Sequence, residues 1–161
     1  MPKLAYLSLG SNVGNTEAQL REALARLGAA GRVVAASSLY ETEPVEFTRQ
    51  PWFLNCAVAL ETSQTPQQLL AAILGIEEQM GRKRVQNKGP RSIDIDILLF
   101  DNVIMDSKEL TIPHPAMHQR RFVLAPLAEI APDAIHPVLK KTVRELRDAL
   151  PPGQAVRKQK T

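Results

Sequence analysis

A chain of 161 residues with 44% hydrophobic content has the length and apolar fraction of a single domain with its own core. Its 20 basic and 17 acidic residues leave a net charge of +3, too little to hold nucleic acid by charge alone, and the single Cys56 excludes an internal disulfide and a cysteine zinc cluster, as suits a reducing compartment. The N-terminus runs straight into a strand-like segment with neither a basic leader nor a long apolar stretch, so the expected location is the cytoplasm, away from any membrane.

The apolar pattern predicts a first strand over residues 4–9, with Gly10-Ser11-Asn12-Val13-Gly14-Asn15 as a turn. Thr16-Glu17-Ala18-Gln19 has capping-box spacing, and Leu20, Ala23, Leu24 and Leu27 recur at helical period until Gly28. Residues 33–40 read as a second strand. A polar, proline-containing loop over 41–51 follows, then a third strand over 53–62 that holds Cys56 as a buried thiol. Thr65-Pro66 caps a second helix whose stripe is Leu69, Leu70, Ile73, Ile76 and Met80, closed by Gly81. A basic loop leads into a strand around Asp94 and Asp96, and shorter strand-like pieces lie at 103–105 and 110–112. The order βαββαβ, with two successive strands between the helices, predicts an α+β fold of ferredoxin-like type with a mainly antiparallel sheet. Residues 142–150 add a C-terminal helix, and 156–161 read as a frayed basic tail of one domain spanning 1–161.

Gly89-Pro90-Arg91-Ser92-Ile93-Asp94-Ile95-Asp96-Ile97-Leu98-Leu99-Phe100 carries the chemistry. Alternation along a strand puts Asp94 and Asp96 on one face, with Ile93, Ile95, Ile97 and Leu99 on the other. Two aligned carboxylates plus substrate phosphates and water suit the octahedral preference of Mg²⁺. Five of the eleven residues from Gly81 to Arg91 are basic and none is acidic, so cations adjoin the acids in sequence, an arrangement suited to a magnesium polyphosphate. Gly10 to Asn15 satisfies neither phosphate-loop fingerprint and is expected to turn the chain, with Asn15 or Thr16 as cap. His114 and His118 stand four apart, but Pro115 between them and the lack of a third ligand favour phosphate contact by His114 and Arg120 over zinc. The segment from Tyr40 to Asn55 concentrates rings in a chain that is 4% aromatic. There Phe53 can stack on a planar heterocycle and Asn55 can pair with a lactam edge, or both can simply line a strand entry; Phe122 and His136 can likewise be core.

Together, Leu7-Ser8-Leu9-Gly10-Ser11-Asn12, Tyr40-x-Thr42-x-Pro44-Val45, residues 51–55, Gly81-Arg82, the Gly-Pro-Arg-x-x-Asp-x-Asp string, Pro113-His114-Pro115 and Arg120-x-Phe122-Val123-Leu124-x-Pro126-Leu127 resemble the 6-hydroxymethyl-7,8-dihydropterin pyrophosphokinases of folate biosynthesis. The resemblance covers nearly the whole chain. It implies an ATP-dependent transfer of pyrophosphate to the pterin hydroxymethyl oxygen, with AMP leaving and two Mg²⁺ ions held by Asp94 and Asp96. It further implies Arg82 and Arg91 as charge-stabilising catalytic residues, with Arg84, His114 and Arg120 on phosphates and Glu77, Ile97 and Thr111 at the nucleotide. Phe53 and Phe122 match the pair around the pterin, and Thr42, Val45 and Asn55 match its edge and pocket contacts.

Three positions depart from the family pattern. Lys88 stands where many members have an aromatic before Gly-Pro-Arg, Glu46 where glycine is common, and Leu74 where some have a polar residue facing the nucleotide. A binding module for RNA or a nucleotide is the main rival, yet two same-face acids would repel a phosphate backbone and no RNP1-like string is present. A glycosyltransferase with a DxD metal site would need a longer chain. The expected partners are ATP and a dihydropterin, without nucleic acid or membrane, and the expected state is a monomer.

Overall fold

The computed structural model describes residues 2–43, 52–81, 93–153 and 155–159. In chain order the elements are β1 (Lys3–Ser11), α1 (Thr16–Leu27), β2 (Arg32–Ala36), β3 (Tyr40–Thr42), β4 (Phe53–Thr62), α2 (Pro66–Gln79) and β5 (Asp94–Phe100). There follow β6 (Met105–Asp106), β7 (Thr111–Ile112), a 3-10 turn (Met117–Gln119), α3 (Arg121–Ile130), β8 (Ile135–His136), β9 (Lys141–Thr142), α4 (Val143–Asp148) and β10 (Val156–Lys158). The main sheet runs β10-β3-β4-β1-β5, with β2 also paired to β4, and every pairing is antiparallel.

Strand periodicity divides the sheet into two faces. Ala5, Leu7 and Leu9 of β1, Leu54, Cys56, Val58 and Leu60 of β4, and Ile95 and Ile97 of β5 pack under α1 and α2, against Leu20, Ala23, Leu27, Leu69 and Ile73. Full burial of each large apolar side chain here contributes about 1.5–3 kcal/mol. The opposite face collects Ala57, Leu98 and Leu99 under Val123, Leu124, Leu127 and Ala128 of α3 and Val143 and Leu146 of α4. Cys56 is buried, and desolvation pushes its thiol up to about 12.

Caps explain where the helices begin. The Asn15 side chain accepts the Ala18 N–H at 3.1 Å, so Asn15, not Thr16, caps α1. Thr65 and Gln68 form a complete capping box ahead of Pro66, as expected for α2. Gly81, just beyond that helix, has φ +82 and fills the left-handed position that closes it.

Several sequence expectations need correction. The first strand runs on through Gly10 and Ser11, which leaves the turn to Asn12–Asn15. The single strand expected over 33–40 is two, β2 and β3, both on β4. Ser37 makes the break. Its N–H donates to the Ala57 carbonyl at 2.8 Å while its hydroxyl, in place of a carbonyl, accepts the Ala57 N–H at 2.8 Å. Leu99 joins Leu98 under α3, because a bulge pairs Leu7 with Ile97 but Tyr6 with Leu99 and so shifts the alternation by one. The tail is not frayed over 156–158: it is β10, paired to β3, with Arg157 bonded to Glu41 at 3.0 Å and stacked 4.7 Å from the Trp52 ring centre. The remainder of the chain, expected to add helix, does so in α3 as well as α4, with Pro126 accommodated inside α3.

Candidate active site

The open end of the second sheet face carries the candidate site. Across the strands, Asp94 of β5 pairs with Gly10 of β1, Gly10 with Asn55 of β4, and Asn55 with Tyr40 of β3. One step along, Asp96 pairs with Ser8 and Thr42 with Phe53. The carboxylates therefore lie on one side of β1, with Asn55, Phe53 and Thr42 on the other side and on the same face. Asp94 and Asp96 are half-buried, while Asn55 and Thr42 are buried.

Gly10 leaves the space between them. A Cβ built there would meet Asn55 Nδ2 at 2.7 Å and the Phe53 ring at 3.8 Å, so the amide and ring overhang a position that only glycine fits. Asn55 is held from behind: the Thr42 hydroxyl donates to Asn55 Oδ1 at 2.6 Å in a buried bond. That bond sets the amide so that its NH₂ faces the glycine. Gly10 is the site residue that sequence reasoning missed by assigning it to a turn; a glycine ending an apolar strand was the available signal.

His114 is within electrostatic reach of both Asp94 and Arg120. Burial first and then the Arg120 charge lower its pKa to about 4, against the opposing effect of Asp94. The ring is neutral at pH 7. Its Nδ1 accepts the Ala116 N–H at 3.1 Å, which leaves Nε2 as the N–H donor. The backbone N–H of His114 donates to the Leu98 carbonyl at 3.0 Å, tying this segment to β5. The Arg120 guanidinium sits 5.6 Å from the Phe122 ring centre, at the entry to α3.

The other nucleotide expectations are more scattered. Glu77 is 3% exposed, and its carboxylate accepts the Ile95 N–H at 2.8 Å. Ile97 is in the core beneath α1 and α2, so its side chain is turned away from the acids. It lies two residues from Ile95 on β5, and its backbone groups face the same side, away from β1, where no further strand pairs among the described residues. Thr111 is on the β6–β7 hairpin with its hydroxyl donating to Asp106 at 3.3 Å. His118 stands edge-on to His136, ring centres 6.2 Å apart, rather than beside His114 as a ligand pair. Val45, Arg82, Arg84 and Arg91, together with Glu46 and Lys88, lie outside the described residues. Leu74 is on α2 and 39% exposed.

A second contact set fixes the neighbouring strand. Glu129 of α3 accepts from the Tyr40 hydroxyl at 2.7 Å, the Ser38 N–H at 2.9 Å and the Ser38 hydroxyl at 3.1 Å. Burial works against the Glu129 carboxylate, yet these bonds hold its pKa below the usual value. This clamp seats β3, and with it Thr42, against α3.

Among the described residues no group of three or more His, Cys, Asp and Glu could hold a metal ion. Among the described residues the carboxylate pair Asp94 and Asp96 is the donor set available at this face. It matches a hard cation such as Mg²⁺, which is bound through one or two carboxylates and completes its shell with substrate oxygens and water.

A sequence model described as 7,8-dihydro-6-hydroxymethylpterin-pyrophosphokinase matches residues 6–132. The chain is 47% identical over 151 residues to the 2-amino-4-hydroxy-6-hydroxymethyldihydropteridine pyrophosphokinase of Methylorubrum extorquens, covering 92% of this chain and 94% of that protein. It is 44% identical over 157 residues to the folic acid synthesis protein fol1 of Schizosaccharomyces pombe, which covers 96% of this chain but only 21% of the relative. A crystal structure of Plasmodium falciparum HPPK-DHPS with pteroate shares the fold at TM-score 0.73 and 20% identity, over 92% of this chain and 42% of that one. Among the described residues no helix is long and apolar enough to cross a membrane. The sheet face built around Asp94, Asp96 and Asn55 falls within the matched span, and the chain belongs to the 7,8-dihydro-6-hydroxymethylpterin-pyrophosphokinase family.

Proposed function

We propose that this chain transfers the β,γ-pyrophosphoryl group of ATP to the hydroxymethyl oxygen of 6-hydroxymethyl-7,8-dihydropterin in folate biosynthesis. The observation that carries the reading is the shared face: Asp94 and Asp96 on β5 and Asn55 and Phe53 on β4 flank the single strand β1. Two strand spacings, about 10 Å, separate the Asp94 and Asn55 backbones. That distance suits a pterin lying over β4 with its hydroxymethyl arm reaching across Gly10 toward phosphates held over β5.

In this mechanism Asn55 and Thr42 read the pterin edge, and Phe53 and Phe122 take its two faces, with Val45 completing the pocket. Neutral His114 donates Nε2–H to a phosphate oxygen, and Arg120 adds charge beside it. Glu77, the Ile97 backbone, Arg84 and Thr111 are assigned to the nucleotide. Asp94 and Asp96 would hold two Mg²⁺ ions, which when bound offset charge on the β- and γ-phosphates. The hydroxymethyl oxygen attacks the β-phosphorus, the bond from that phosphorus to the α,β-bridging oxygen breaks, AMP departs and the hydroxyl proton is released. Arg82 and Arg91 stabilise the charge that develops during transfer. The sheet order β5-β1-β4 followed by β2 and β3 supports a ferredoxin-like classification, with the second strand of that pattern split in two. All the groups assigned here lie in one chain, which supports a monomer.

The test is product analysis with ATP, Mg²⁺ and the hydroxymethyl dihydropterin. Stoichiometric AMP and pterin diphosphate are expected. ADP would mean attack at the γ-phosphorus, and tight ATP binding without turnover would make the chain a binding module.

A further inference from the structure

The C-terminal strand β10 holds the short strand β3 from both faces of the sheet. β3 is three residues long, and β10 covers its outer edge by pairing Val156 with Thr42, Arg157 with Glu41 and Lys158 with Tyr40. Alternation sends neighbouring side chains of β10 opposite ways. Lys158 reaches Glu129 of α3 at 3.8 Å, on the face that carries the candidate site. Arg157 turns to the reverse face, where its guanidinium donates to Glu41 at 3.0 Å and lies over the Trp52 ring, 4.7 Å from its centre. Trp52 immediately precedes Phe53. Phe53 opens β4 and is paired to Thr42 alone among the described residues, because the pairing with β1 stops at Leu54, whereas Asn55 is paired on both sides, to Gly10 and Tyr40.

We propose that Arg157 is a positioning residue for the pterin half of the site: by holding Trp52 against the β3 edge, it fixes the strand entry from which Phe53 projects. The inference rests on the assignment of Phe53 and Asn55 to the pterin. An exposed ion pair contributes little by itself, and the Arg157 and Glu41 side chains are 66% and 39% exposed, so the bond to Glu41 serves to orient the guanidinium. A planar, delocalised cation can donate to a carboxylate and cover an indole with one group. Arg157 is on the reverse face, so it acts through Trp52 and not on the substrate.

Trp52 is the only tryptophan of the chain, and its fluorescence therefore reports on this contact directly. Arg157→Ala is expected to make Trp52 more accessible to acrylamide quenching and to raise KM for the dihydropterin by about 2- to 5-fold, the size of one exposed cation–π contact, with KM for ATP and kcat unchanged. In a Trp52→Ala background the same substitution should leave the pterin KM where it is, because the group it acts through is gone. A pterin KM raised equally in both backgrounds would overturn the proposal, as would an equal rise in both KM values, which would mean a general loosening of the sheet. More accessible Trp52 with an unchanged pterin KM would overturn it too. An unchanged pterin KM in Asn55→Ala would instead refute the pterin assignment beneath it.

Discussion

Gly10→Ala tests the geometry of the site most directly, because it adds one carbon where the structure leaves room for none. The new Cβ would lie 2.7 Å from Asn55 Nδ2, whereas comfortable contacts of this kind begin near 3.5 Å, so the amide must retreat by roughly 0.8 Å. Retreat is resisted by the 2.6 Å bond from the Thr42 hydroxyl, which is itself buried. Loss of that bond with partners left buried costs about 1–3 kcal/mol, against a gain of about 0.4–1 kcal/mol from restricting the unfolded chain at a glycine. The net expectation is a protein destabilised by about 1–2 kcal/mol in urea unfolding.

The same displacement moves the amide from the pterin edge, so KM for the dihydropterin rises by about 10- to 100-fold while KM for ATP changes little. A double-mutant cycle isolates the cause. In an Asn55→Ala background the added methyl has nothing to strike, and Gly10→Ala should then cost less than about 0.5 kcal/mol in stability, as expected once the coupled partner is gone. An equal cost in both backgrounds, or unchanged pterin KM in the single variant, would refute the packing argument.

Asp96→Ala should leave the fold intact, since Asp96 is half-buried at the open end of its face, yet lower kcat by about a thousand-fold or more through loss of several kcal/mol of charge stabilisation; turnover retained at saturating Mg²⁺ would contradict this. His114 has a folded pKa near 4, below its usual value of about 6.5, so the unfolded chain takes up its proton first as pH falls. Stability is therefore expected to decline between about pH 6.5 and 4, and His114→Gln should flatten that decline in urea midpoints measured across the window; parallel profiles would be inconsistent with a buried neutral ring. Tyr40→Phe removes one of the three bonds to Glu129 and should cost about 1 kcal/mol in urea unfolding; no loss would show that the clamp adds nothing.

What the sequence disclosed followed from local rules. The Asp94–Asp96 pair on one face, the capping box of α2 and the buried thiol of Cys56 each need only neighbours a few residues away. What it hid depends on contacts between distant segments. Ser37 breaks its strand by bonding to Ala57, twenty residues on. The basic tail becomes β10 because Glu41 and Trp52, both more than a hundred residues away, supply partners for Arg157. Gly10 looked like turn punctuation because its reason for being glycine is Asn55 on the adjacent strand. Among the site residues, Ile97 shows the same limit. Alternation assigned its side chain to the core correctly, and only the edge position of β5 reveals that its backbone is what it can offer.

The division of the second sheet face accounts for how a small domain can present two groups of polar side chains at fixed separation, as the proposed reaction requires. Its inner half is sealed by α3 and α4 over Ala57, Leu98 and Leu99, so β1, β4 and β5 cannot slide relative to one another without opening an apolar cluster. Its outer half carries the polar groups on those same three strands, one or two residue pairs further along. The packing that stabilises the fold therefore also sets the spacing between carboxylates and amide. The bulge at Leu98 serves this arrangement: Leu98 and Leu99 both turn under the helices, while Asp96 and Asp94, before the bulge, keep strict alternation and face outward. In the proposed mechanism the basic residues come from 82–91, three residues before Asp94 in the sequence. Under that proposal, anions fixed on a strand and cations in the sequence leading into it would let the fold set the metal-binding geometry while the charge stabilisation is supplied where the nucleotide binds.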